Sequence, residues 1–197
     1  MAAASMPRRL NSSGTGYTAI TPALVTTSAY TDNTVANGTT YYYVVTASNS
    51  SNNESAYSAE VSSASLSAIQ SWRQQYFGTT ANSGQAADTV DANIDGLANV
   101  VEFYLHRNPN GPNDSSTLPV AAMDGSTLTL TYTRSKAAMS EVTGSVVWSD
   151  TLAPGSWSGS GVTEKILNDD GVVQKVEASV APGSTGKRFL RVNVTRP

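Results

Sequence analysis

The stretch from Asp91 to Glu102 constrains this chain more than any other. Oxygen-bearing side chains stand at its first, third, fifth, ninth and twelfth positions (Asp91, Asn93, Asp95, Asn99 and Glu102), and Gly96 stands sixth. A hard divalent cation takes about six to eight oxygen ligands, and this spacing delivers them from one continuous turn of backbone. Leu97, at the seventh position, offers its main-chain carbonyl. Gly96 admits the sharp turn that a Cβ would hinder. Glu102 opens a helical pattern, so a bound ion would also anchor the helix. Asp88, just upstream, is a further candidate carboxylate. The bland alternative is an Asx-rich turn capping a helix without metal. The match at all five oxygen positions and the glycine favours the metal.

These twelve positions resemble an EF-hand loop. The entering helix is not adjacent: Phe77 closes the preceding helical pattern, and a polar stretch around Gly84 intervenes. In that respect the site is similar to dockerin and thrombospondin type 3 loops, which amount to half an EF-hand. The resemblance implies calcium as the cofactor and a structural site, not a regulatory switch. Dockerins carry two such loops and this chain has one, which argues against a cohesin partner. With three loop carboxylates the expected dissociation constant is that of extracellular modules, on the order of 10⁻⁴ to 10⁻³ M.

Composition narrows the remaining chemistry. Among 197 residues there is no cysteine and one histidine, His106, which excludes disulfides, thiolate metal sites, cysteine nucleophiles and histidine clusters. A net charge of -3 and no basic run longer than two residues argue against nucleic acid as a partner. No stretch approaches the roughly 20 apolar residues of a membrane span. Residues 1–10 lack the apolar segment of a signal peptide. The abundance of Ser, Thr, Asn, Gly and Tyr with few Lys has the texture of a secreted or cell-surface protein, the native signal being absent from this sequence.

Three regions are expected. Residues 1–64 are short strand patterns, 65–117 carry the helical patterns, and 118–197 return to strands. In the first region Tyr41 to Ala47 is β-branched and aromatic, with Tyr41, Tyr43, Val45 and Ala47 on one face. Tyr57 to Ser63 reads as the next strand. Tyr30-Thr31-Asp32, the run from Asn37-Gly38 to Ala47, Glu54-Ser55 and Ser58 to Val61 together resemble the second half of a fibronectin type III domain. Tyr41 falls at that family's tyrosine corner. Arg8 to Ile20 resembles the two strands before it, and the two strands that open the fold have no counterpart. Half a sandwich leaves an apolar face and open edges. The expectation is that the C-terminal strands cover this face, or that a second copy does, making a homodimer through an open β-edge.

In the middle region Leu66, Ile69, Trp72, Tyr76 and Phe77 follow helical spacing, with Ser65 as N-cap and Gly78 as the stop. Leu97, Val100, Val101, Tyr104 and Leu105 mark a second helical face. The two faces are expected to pack together around Trp72. In the last region strands are expected over 127–133, 142–149, 161–167, 172–180 and 188–194, forming an antiparallel sandwich.

Other candidates are weaker. Trp157, in a Gly- and Ser-rich loop, is a candidate sugar-binding residue, since an aromatic face suits the apolar face of a pyranose. Trp148, inside a strand, reads as core. His106 reads as a helix C-terminal residue, not as a base. The acids Glu141, Glu164, Asp169 and Asp170 could serve a glycosidase only if two faced each other across a sugar.

The fold class expected is therefore mainly β: a partial fibronectin type III-like sandwich, a short two-helix calcium-binding linker, and a C-terminal antiparallel β-sandwich. The chain resembles the C-terminal part of multimodular secreted bacterial proteins. That implies a non-catalytic, calcium-stabilised accessory module, with polysaccharide as its ligand if it takes one. The alternatives are a glycoside hydrolase using an Asp/Glu pair, and an adhesion or self-assembly module.

Overall fold

The computed structural model describes residues 4–51, 53–111, 117–183 and 186–197. The described residues are mainly β, with ten strands in antiparallel sheets and two α-helices. The chain divides into two compact units, Met1–Ser67 and Ala68–Pro197. No helix among the described residues is long and apolar enough to cross a membrane.

The first unit is one sheet of four strands, β1 (Ala4–Leu10), β2 (Thr18–Ala19), β3 (Thr40–Ser48) and β4 (Val61–Ala64), in the order β2-β1-β3-β4. The alternation in β3 sets its faces. Tyr41, Tyr43 and Val45 share one face with Pro7 and Arg9 of β1, because Arg9 pairs with Tyr43 and Pro7 with Val45. The segment between β2 and β3 runs across this face and leaves a concavity of about 620 Å³ bordered by Pro7, Val25, Tyr30, Val35, Tyr43 and Val45. Val45 keeps 43% of its surface exposed. Arg9 holds the covering segment, bonding Asp32 at 2.6 Å and lying 4.4 Å from the Tyr41 ring centre. The Tyr41 hydroxyl accepts the Ala36 N–H at 3.0 Å, pinning the turn before its own strand.

The strand expected over 57–63 is β4, and it begins only at Val61. Serines cause the delay. Ser58 Oγ accepts the Val45 N–H and Ser55 Oγ accepts the Ala47 N–H, each at 3.0 Å, while Ser58 and Ser55 N–H groups donate to the carbonyls of the same two residues. Hydroxyls replace main-chain carbonyls, so the backbone stays outside regular ladder geometry.

The second unit begins with α1 (Ala68–Phe77) and α2 (Asn99–Tyr104), followed by β5 (Val120–Asp124), β6 (Thr127–Ser135), β7 (Thr143–Ser149), β8 (Thr163–Asp169), β9 (Val173–Val180) and β10 (Phe189–Thr195). Strands β5-β6-β9-β8 make one sheet and β10-β7 a second. Leu130, Tyr132, Val176 and Ala178 of the larger sheet share a core with Val146, Leu190, Val192 and Val194 of the smaller one. Ile69, Phe103, Tyr104 and Leu105 of the helical segment enter the same core, so residues expected as a linker belong to the body of this unit. Trp72 meets Phe103 edge to face at 5.7 Å, joining α1 to α2. Tyr104 lies against Tyr132 and directly over Gly144, where a Cβ would overlap its ring.

Two local expectations change. Helix α1 starts at Ala68, so Leu66 lies outside it, and Ser65 is not its cap. Glu141 caps it instead, accepting the N–H groups of Ala68 and Ile69. A carboxylate satisfies two orphan donors and meets the positive end of the helix dipole, which a serine hydroxyl cannot match. Strand β5 was not anticipated, since Val120-Ala-Ala-Met-Asp124 shows no alternation. It is an edge strand exposed along its length.

Candidate metal centre

The loop from Asp91 to Glu102 is built from side-chain acceptors bound to its own backbone. Asp91 Oδ2 accepts the Gly96 N–H at 2.7 Å, and Asp91 Oδ1 accepts that of Asp95 at 3.1 Å. Asn93 Oδ1 also accepts from Asp95, and Asp95 Oδ1 accepts the Leu97 N–H at 2.9 Å. The first three predicted ligand residues thus lie around the inside of one turn. The turn needs two left-handed residues, Gly96 at φ +88° and Ile94 at φ +61°, the latter with its side chain 85% exposed. A β-branched residue there is strained, at an expected cost of about 1–3 kcal/mol that the surrounding bonds must offset. The loop's ends are tied together by Asn99 N–H to the Val90 carbonyl at 2.8 Å and Val100 N–H to the Asp88 carbonyl at 3.1 Å.

Glu102 is the telling residue. It is fully buried, and its Oε2 has no hydrogen-bond partner among the described residues. Its Oε1 faces Asn93 Nδ2 at 3.5 Å. Burial, then the negative charge of Asp95, pushes its carboxyl up to about 7, with Asp91 adding to the rise and Arg107 opposing it. A buried, half-satisfied carboxylate beside two aspartates is costly unless a cation joins it. The donor set, carboxylates with an amide oxygen and main-chain carbonyls, suits calcium. Asp91, Asn93, Asp95 and Glu102 are the side chains that would hold it.

Arg107 enters the same neighbourhood. Its Nη2 bonds Asp95 Oδ2 at 3.0 Å, and both side chains are buried. Its main-chain N–H donates to the Glu102 carbonyl at 2.8 Å. Arg107 partly neutralises the three loop carboxylates, so an ion would share Asp95 with a resident guanidinium. Among the described residues no group of three Asp, Glu, His or Cys side chains is drawn tightly enough to hold an ion by itself.

The remaining predicted positions fall differently. Asn99 is buried with its Nδ2 committed to the carbonyls of Gln85 and Ala87 at 2.7 and 2.8 Å, while its Oδ1 is buried without a partner among the described residues. It ties the 84–87 turn to α2. Leu97 packs its side chain against the core. Asp88 is turned to arginines, accepting from Arg73 and, at 3.0 Å, from Arg196, and so is engaged away from the loop.

The other candidates take structural partners. Trp157 is half-buried, with the Arg191 guanidinium 4.0 Å from its ring centre. Trp148 carries Arg188 at 3.6 Å and donates its Nε1–H to the Ser160 carbonyl. His106 is exposed at φ +57°, where it ends α2. Glu164 accepts from the Tyr132 hydroxyl and Arg134, and Asp169 and Asp170 hold the β8–β9 turn, accepting from Lys136 and from the backbone of residues 171–173. Arg107 was missed by sequence reasoning. Its only sequence signal is a basic residue five positions past the last predicted ligand. No protein-family model and no curated protein matches this chain.

Proposed function

We propose that this chain is a non-catalytic, calcium-stabilised accessory module of a secreted multimodular protein, with polysaccharide as its ligand class. The observation that carries the calcium reading is the buried Glu102 Oε2, without a hydrogen-bond partner among the described residues, beside Asp91, Asn93 and Asp95. Calcium there supplies the positive charge that these carboxylates lack and ties the loop to the first turn of α2. The reading of the first unit as half of a fibronectin type III-like sandwich is supported by its four-stranded antiparallel sheet and by the Tyr41 hydroxyl bond to Ala36.

Calorimetric melting with calcium and with chelator tests the metal. A melting temperature unmoved by either sinks the calcium assignment. The expected result is a rise with calcium that is abolished in Glu102→Gln. A parallel screen of soluble and insoluble glycans for binding and hydrolysis tests the module reading. Turnover abolished by one Asp or Glu substitution overturns it in favour of a glycoside hydrolase.

Self-assembly is a second reading, favoured by the first unit. Val61 on the edge strand β4 is 62% exposed, beside a concave apolar face. An unpaired edge of this kind is a template for another strand. Concentration-dependent sedimentation that Val61→Lys abolishes supports it, and a strict monomer at all concentrations removes it.

A further inference from the structure

We infer that the outer face of β10 and β7 binds polysaccharides that carry carboxylates, with Arg191 as the residue that selects for the charge. The inference rests on the carbohydrate reading proposed above. Core packing of Leu190, Val192 and Val194 turns the alternate residues of β10 outward. Register then lays three pairs along this face: Phe189 with Ser149, Arg191 with Val147, and Asn193 with Ser145. The next segment along β7 bridges Trp148 through Ser158, and the neighbouring Trp157 lies under the Arg191 guanidinium.

Arg191 is an exception in this molecule. Of eight arginines, it alone has no carboxylate within 4.0 Å among the described residues. It is exposed, yet its guanidinium lies over an indole ring. The same unit contains the completed version of this arrangement. Arg188 lies 3.6 Å from the Trp148 ring centre and grips Asp150 through Nε and Nη2 at 2.8 and 3.0 Å. Tryptophan orients the guanidinium, and the fork-shaped edge takes both oxygens of a carboxylate. At Trp157 and Arg191 the first two parts are present and the described residues supply no third. A ligand carboxylate completes it.

The surroundings favour a sugar as the bearer of that carboxylate. Phe189, 40% exposed, offers a ring face one strand step of about 6.8 Å from Arg191. Asn193 and Ser145 offer an amide and a hydroxyl on the other side. An acidic peptide is recognised by a cluster of arginines. On this face the register places one arginine, Arg191, with Phe189, Asn193 and Ser145 as its polar and aromatic neighbours.

Isothermal titration with short uronic-acid oligomers, their methyl esters, neutral oligosaccharides and a poly-glutamate peptide tests the inference. The wild type is expected to bind the free acids. Arg191→Gln should weaken that binding at least about 10-fold, the loss of a bidentate charge-assisted pair, with Arg191→Lys falling between. Lys165→Gln, altering another exposed cation, should leave it unchanged, and melting curves should show every variant folded. Equal affinity for acids, esters and neutral oligomers overturns the inference and leaves the carbohydrate reading standing. Poly-glutamate binding as tight as the free acids overturns it in favour of an acidic peptide. Binding of no oligomer overturns both readings.

Discussion

In the first unit one sheet does all the packing, and in the second two sheets and two helices close on each other. The contrast shows in what fills each core. The first unit buries Tyr17, Tyr41 and Val44, and its Tyr43 and Val45 border an open concavity. The second buries a continuous cluster from Ile69 to Ala178 that draws on every layer. Polar ties compensate in the first unit, where Arg9–Asp32 and Arg8–Glu54 hold segments that lack apolar cover. In the second unit ion pairs sit at the 91–102 loop, between β6 and β8 and at the turns, where they position groups around an existing core. Cooperative stability follows buried apolar area, so the two units should melt differently.

The sharpest way to break that comparison is Tyr104→Ala. Tyr104 is buried where α2 meets β6 and Gly144, and truncation should cost about 3–5 kcal/mol. Scanning calorimetry should then show the second unit's transition shifted far down and the first unit's unmoved. A common shift of both would mean that the units melt as one.

Arg107→Met comes next. It leaves Asp95 buried without its cation, an effect of about 3–5 kcal/mol in calcium-free buffer. Because the variant loop carries one more uncompensated negative charge, calcium should bind it more tightly than the wild type and restore part of the stability. Weaker calcium binding in a titration of the folded variant would remove Arg107 from competition for Asp95.

A smaller effect is pH dependence without metal. The Glu102 carboxyl stands at about 7 in the folded chain against 4.5 ordinarily, so the folded state holds this proton more tightly than the unfolded one. Its contribution is fully present below about pH 4.5 and is lost as pH rises through about 7, up to about 3 kcal/mol in all. The difference between wild-type and Glu102→Gln melting, followed with chelator from pH 5 to pH 8, isolates it. Calcium, which favours the ionised carboxylate, should stabilise more at pH 8 than at pH 5.

The mildest test lies in the first unit. Tyr41→Phe removes the acceptor of the Ala36 N–H and should cost about 0.5–1.5 kcal/mol, confined to that unit's transition. A loss spread over both transitions would undo the separation drawn above.

Much of the strand plan was legible in the sequence. Leu128-Thr-Leu130-Thr-Tyr132 alternates, and β6 runs from Thr127 to Ser135 with Leu130 and Tyr132 in the core. Asp169-Asp170-Gly171 marked a turn, and it joins β8 to β9. The turn at 91–97 was equally legible, because Asp91, Asn93, Asp95 and Gly96 lie within a few successive residues and satisfy one another locally. Strand β5 was not, since an edge strand exposed on both faces has no pattern to show.

What the sequence determined by itself was local: where strands alternate, where turns fall, and which oxygens share one loop. Tertiary structure alone decided which distant group completes each local feature. Glu141 caps α1 from more than 70 residues away, Arg196 reaches Asp88, Arg107 takes Asp95, and Arg191 lies on Trp157 with no acid of its own among the described residues. The physical reason is range. Backbone geometry and hydrogen bonds to near neighbours are settled over a few residues, whereas ion pairs, caps and ring stacks depend on where packing brings remote segments together.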